Sequence, residues 1–164
     1  MISIDDLILV PLYLIVIFGL AILIKLKNIK KHPEYTYFVK GLWFKLVGVS
    51  AFIIIYLFHY GGGDTLAYFQ GSKALGNLLL QDFSKGFAVL FNTNSYYNSI
   101  SSFNYETGFP YGHYFRDKNT FIICRLSAPL YLLASKSFLI TSFLTAIFSY
   151  VGIWKFYRLL NILS

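Results

Sequence analysis

Eighteen consecutive residues near the amino terminus, LILVPLYLIVIFGLAILI from Leu7 to Ile24, carry no charge. A bilayer crossing takes about 20 such residues, and the backbone inside lipid must satisfy its own hydrogen bonds, so a run of this kind folds as a helix. Pro11 falls in the first turns, where a missing N–H costs least. Two further runs repeat the pattern, Leu42 to Tyr60 and SFLITSFLTAIFSYVGIW at 137–154. The shortage of charge points the same way: 57% of the chain is hydrophobic and only 13% charged, where a soluble domain has about a quarter of its residues charged. The expected class is all-α, an integral membrane helical protein with three to four apolar helices. It forms a single membrane domain over 1–164, with spans at about 7–24, 42–60 and 137–154.

Cations mark the ends of these runs. Lys25, Lys27, Lys30 and Lys31 follow the first one, and Lys40 and Lys45 lie at the start of the second. Cytoplasmic connections carry the excess of Lys and Arg. That rule places the amino terminus outside, the 25–40 link inside, and the long segment 61–118 outside again. The translocated segment is balanced, with Lys73, Lys85, Arg116 and Lys118 against Asp64, Asp82, Glu106 and Asp117. A fourth apolar segment, FIICRLSAPLYLLA at 121–134, is short and contains Arg125 and Pro129. Lying along or partly into the outer leaflet, it lets the last span run inward and keeps Lys155 and Arg158 cytoplasmic. Asp5 and Asp6, where a cleavable signal would have cations, mark the first run as a retained anchor. The net charge of +7 sits at the ends of spans rather than in one solvated patch, so nucleic acid is not an expected partner. One cysteine, Cys124, excludes an intrachain disulfide, and three scattered histidines offer no zinc spacing. The expected location is the plasma (inner) membrane of a bacterium.

The second run ends on GGGD. Gly61, Gly62 and Gly63 free the backbone to break the helix, and Asp64 opens the next segment at the water interface. From Thr65 to Leu80 the residues Ala67, Tyr68, Gly71, Ala74, Leu75, Leu78 and Leu79 recur at helical spacing. FSKGFAVLF reads as a second short interfacial helix, and 92–119, rich in Asn, Ser, Tyr, Phe and Gly, reads as irregular. Two roles fit Asp64, a cap for the following helix and a base presented at a membrane exit. Glu106 is either a solvated loop acid or a second carboxylate, sharing a metal or splitting acid and base work with Asp64. Arg125, costly in an apolar segment, either snorkels to headgroups or pairs with a lipid phosphate, whose geometry guanidinium matches. Tyr96, Tyr97, Phe103, Tyr105, Phe109, Tyr111, Tyr114 and Phe115 crowd the external segment as interfacial anchors or as faces for a sugar ring. Gly19, Gly48 and Gly152 lie within spans and are expected to allow close helix contact.

Asp64 with Tyr68 four residues on, the pattern GGDTxxYxxxxxxL, and the Arg-bearing stretch FIICRLSAPLYLLASKSFLITSFLTAIFSYVGIWKFYRLL together resemble the amino-terminal part of GT-C-type bacterial membrane glycosyltransferases and polysaccharide polymerases. Large uncharacterised multi-span proteins carry similar segments. The likeness covers about residues 42–160. It implies a sugar donor carried on a polyprenyl phosphate. It makes Asp64 the base or a holder of a divalent metal or the acceptor, with Tyr68 and Arg125 on the substrate side. The chain departs from the pattern in its single acid in place of Asp-Glu, in an extra span before that acid, and in lacking the many later spans. The last departure implies a fragment of a longer protein, inactive alone and dependent on other membrane subunits. The competing reading is a non-catalytic membrane subunit or truncated protein whose external loop docks a partner.

Overall fold

The structure is a computed structural model that describes residues 4–91 and 99–163. Among these all regular structure is helical, with no strand. Helix α1 (Ile4–Asn28) is followed by a 3₁₀ turn (Pro33–Tyr37), α2 (Phe38–Ile54) with a π-helical last turn (Ile55–His59), and α3 (Asp64–Gln81). Then come α4 (Phe83–Phe91), α5 (Gly112–Arg116), α6 (Lys118–Leu133) and α7 (Phe138–Leu163). Three stretches are long and apolar enough to cross a membrane: Ile8–Asn28, Pro33–His59 and Phe138–Asn161. Only 6% and 17% of the first two are buried within the protein. Ile8, Phe44 and Phe148 are among the large apolar side chains left exposed. Apolar faces that wide and that uncovered call for lipid rather than water.

The spans are longer than the charge-free runs. α1 continues through Lys25 and Lys27, α2 begins before Lys40, and α7 passes Lys155 and Arg158. Lysine and arginine are good helix formers with long apolar stems, so a cation ends a lipid-compatible run without ending the helix. Within the 25–40 link, Pro33–Tyr37 is the 3₁₀ turn and α2 already begins at Phe38.

The chain divides into two compact units. The first contains α1, α2 and α7 from Ser142 onward. Its core is aromatic: Tyr35, Phe38, Tyr150 and Trp154 meet with ring centroids 5.0 to 5.6 Å apart. The Tyr150 hydroxyl donates to the Phe38 carbonyl oxygen at 2.6 Å. It reaches there because position 41 is glycine; a Cβ at Gly41 would stand 2.6 Å from the Tyr150 oxygen. Arg158 Nε donates to Glu34 Oε1 at 3.1 Å, and its guanidinium lies 5.2 Å from the Tyr35 ring. Among the described residues, Gly19, Gly48 and Gly152 do not serve close helix contact: a Cβ at any of them would meet nothing within 4 Å.

The second unit spans Tyr56–Thr141. Its centre is the pair α3 and α6, which meet through small residues. A Cβ at Gly71 would lie 2.6 Å from Cys124 Sγ, and one at Gly76 would lie 2.5 Å from the Tyr131 ring. Contacts advance together along both helices, so the pair runs in the same direction. The anticipated stripe on α3 is largely the buried one, with Ala67, Gly71, Ala74, Leu75 and Leu78 covered, Tyr68 and Leu79 half-covered, and Ser72 added. Helix α4 folds back on α3 where Gly86 sits against the Leu79 backbone. Residues 101–111 are irregular as expected, whereas α5 and the start of α6 make 112–116 and 118–119 helical; residues 92–98 lie outside the described residues.

Candidate functional site

The π turn of α2 is closed by a bond from the Gly62 N–H to the Tyr56 carbonyl oxygen at 3.1 Å, with Gly61 at φ +63°. That six-residue bond over a left-handed residue is a glycine helix stop. Gly62 and Gly63 hold φ values of +152° and +128°, open only to glycine at low cost. A Cβ at Gly63 would also strike the Tyr56 ring at 2.8 Å. Chain direction is thus reset within three residues, and α3 begins at once.

Asp64 does not cap that helix. Gly63 occupies the N-cap, and Asp64 is the first helical residue. There its negative charge still favours the helix amino terminus, while the side chain is free for another partner. Asp64 Oδ1 accepts a hydrogen bond from the Tyr114 hydroxyl at 2.5 Å. Tyr114 comes from α5, fifty residues further on. The Tyr68 ring, one turn along α3, lies edge-on to the Tyr114 ring at 5.2 Å. Asp64, Tyr68 and Tyr114 therefore form one group, with the carboxylate exposed and both rings half-buried beside it. Tyr114 is the member that sequence reading placed only among the loop aromatics.

Electrostatics follow from that geometry. The hydrogen bond to Asp64 pushes the Tyr114 hydroxyl up to about 12, with burial and the Asp64 charge adding to it. Tyr68 is raised as well, first by burial and then by Asp64. A phenol that holds its proton more tightly when folded loses stability as pH rises from about 10 to about 12, because the unfolded chain releases that proton first. In a spectrophotometric tyrosinate titration, Tyr114→Phe is expected to delete one transition near pH 12. Asp64→Asn is expected to move that transition down toward 10. A titration unchanged in Asp64→Asn rules the pair out.

Glu106 belongs to a different set. Its Oε2 accepts from Gln81 Nε2 at 2.8 Å, and Gln81 Oε1 accepts from Asn104 Nδ2 at 3.0 Å. Asn104 Oδ1 takes the backbone N–H groups of Glu106 and Thr107, each at 2.9 Å. Asn77 donates to the Thr107 carbonyl, and Tyr131 donates to Asn77. Glu106 thus helps clasp the segment 104–107 to α3, beside a shallow cavity of about 340 Å³ that Lys136 also lines. Asp64 and Glu106 share no hydrogen-bond partner among the described residues. No group of three or more His, Cys, Asp or Glu side chains among them is placed to hold a metal ion.

Arg125 stands half-buried on the flank of α6, its guanidinium 5.3 Å from the Phe121 ring centroid, a cation–π contact. Asp117 caps that helix, accepting from the Asn119 N–H at 3.1 Å and from the Thr120 hydroxyl. Those bonds, Thr120 first, hold its carboxyl below the usual range. The loop aromatics divide by position. Phe103 and Phe115 are core residues, edge-on at 5.6 Å. Tyr105 is 98% exposed, with Phe109 against it. Tyr96 and Tyr97 lie outside the described residues. No family model matches the chain, and no curated protein and no solved structure matches it either.

Proposed function

We propose that this chain is the donor-side amino-terminal region of a membrane glycosyltransferase that takes a sugar from a polyprenyl phosphate. The observation that carries the reading is the Asp64 carboxylate, oriented by the Tyr114 hydroxyl at 2.5 Å a few residues past a helix fit to cross lipid. A base in such a reaction removes the proton from an acceptor hydroxyl as the sugar's bond to phosphate breaks and the lipid phosphate leaves. Asp64 has one oxygen held by Tyr114; the other accepts no described hydrogen bond and serves that proton. Tyr68 and Tyr114 give the sugar an aromatic wall, and Arg125 offers a guanidinium to lipid phosphate. In this reading the chain is a multi-pass protein of the plasma membrane, with its amino terminus and residues 61–118 outside. α4 and α6 lie at the outer boundary of the bilayer. Other membrane subunits complete the water-excluding walls that transfer needs, so the purified chain alone is expected not to turn over.

The test is transfer from a radiolabelled polyprenyl-phosphate sugar in membranes of cells expressing the chain. Asp64→Asn keeps the size and the charge-independent contacts of the side chain but cannot take a proton. Transfer is expected to fall by about 100-fold or more, with the amount of inserted protein unchanged. Unaltered transfer in the Asn variant overturns the assignment of Asp64 as base. A second reading, a non-catalytic subunit that docks a partner, is favoured by Tyr105, which stands almost wholly exposed on a clasped loop. It gains if the Asn variant is silent and Tyr105→Ala releases a co-purifying membrane protein.

A further inference from the structure

Within the first unit, α2 carries a cation on a ridge between two apolar grooves. One groove, of about 390 Å³, is lined by Phe18, Val39 and Trp43. The other, of about 470 Å³, is lined by Gly41, Tyr150, Ile153 and Trp154 among others. Lys40 and Phe44 line both. The second groove owes its depth to Gly41, where any side chain would meet the Tyr150 hydroxyl. Both walls are almost entirely apolar, so Lys40 contributes its stem to each groove and carries its ammonium group beyond them, as a snorkelling lysine does. Lys40 is exposed and makes no described ion pair.

We infer that Lys40 and the two grooves beside it hold one anionic phospholipid, its phosphate on the ammonium group and one acyl chain in each groove. The inference rests on the membrane reading above but not on the sugar chemistry. Two features select this ligand over lipid in general. A ridge with a groove on either side fits a headgroup with two chains and leaves half its apolar wall bare against one chain. The charge of the surroundings selects an anion: residues 25–45 hold Lys25, Lys27, Lys30, Lys31, Lys40 and Lys45 against Glu34 alone. Glu34 is already taken by Arg158 at 3.1 Å. Clusters of four or more lysines beside a spanning helix attract anionic headgroups, each cation adding to the attraction.

The experiment is native mass spectrometry of the full chain released from mixed micelles of detergent with dioleoyl phosphatidylglycerol and dioleoyl phosphatidylcholine in equal amounts. Retention of one phosphatidylglycerol in preference to phosphatidylcholine is expected. Lys40→Ala is expected to cut that preference about fivefold. Lys40→Arg should keep it, and Lys155→Ala, on a different helix, should leave it unchanged. The single-chain lyso-phosphatidylglycerol is expected to be retained much less well than the two-chain lipid. Equal preference in Lys40→Ala, equal loss in Lys155→Ala, or equal retention of the lyso lipid each overturns the site. A chain that stays monomeric in water without detergent and retains neither lipid fails the membrane reading itself. A chain that needs detergent and shows no preference fails this inference only.

Discussion

Gly86→Ala is expected to cost about 3 kcal/mol of stability, the upper part of the range for overpacking, and to lift α4 off α3. The added Cβ would fall 2.7 Å from Leu79 Cα and 2.8 Å from Leu79 N. Those are backbone atoms inside a helix, and no rotamer change can move them aside. The ordinary gain of up to about 1 kcal/mol from putting alanine for glycine in a helix is far too small to offset this. Thermal unfolding of the full chain in detergent, followed by circular dichroism, measures it. Gly48→Ala is the matched control: nothing stands within 4 Å of its Cβ, so it should melt with the parent or above it. A Gly86→Ala protein as stable as Gly48→Ala would refute the close approach of α4 to α3.

The second large effect is a coupling. Gly71→Ala alone places a methyl 2.6 Å from Cys124 Sγ and 3.3 Å from Cys124 Cβ, and is expected to cost about 1–3 kcal/mol. Cys124→Ala alone removes a buried sulfur that is 1% exposed and costs less, about 1 kcal/mol. The double variant exchanges one atom for the other across the same gap. Its loss should therefore be smaller than the sum of the single losses by about 1 kcal/mol or more. Chemical denaturation of all four proteins in one detergent supplies the cycle. Strict additivity would mean that α3 and α6 do not touch through these two residues.

The three lipid-compatible helices were legible because the absence of charge is a local property of a sequence. Their ends were less so, since Lys25, Lys27 and Lys155 interrupt hydrophobicity without interrupting the helix. Small residues show the limit more sharply. Gly19, Gly48 and Gly152 and the contact-making Gly41 look alike in sequence, and only the facing Tyr150 distinguishes the last. Asp64 stands out in the sequence after its glycines, but a one-residue shift of the helix start moved the cap to Gly63 and left the carboxylate for Tyr114. That partner is fifty residues away and carries no local signal. Glu106 had a partial signal in Asn104-Tyr105-Glu106-Thr107, a turn-forming order. Its bond to Gln81 depends on the return of the chain to α3.

That return has a cost in time. Because α3 and α6 lie in the same direction, the polypeptide must travel back along α3 before the matching face exists. Gly71 waits for Cys124, a separation of 124 − 71 = 53 residues. At a ribosomal pace of about 5–20 residues per second, that is roughly 3–10 s. For that interval Leu75 and Leu78, which end up sealed, are newborn and bare. A chain made this way has to be sheltered by lipid or by an escort while the ribosome catches up.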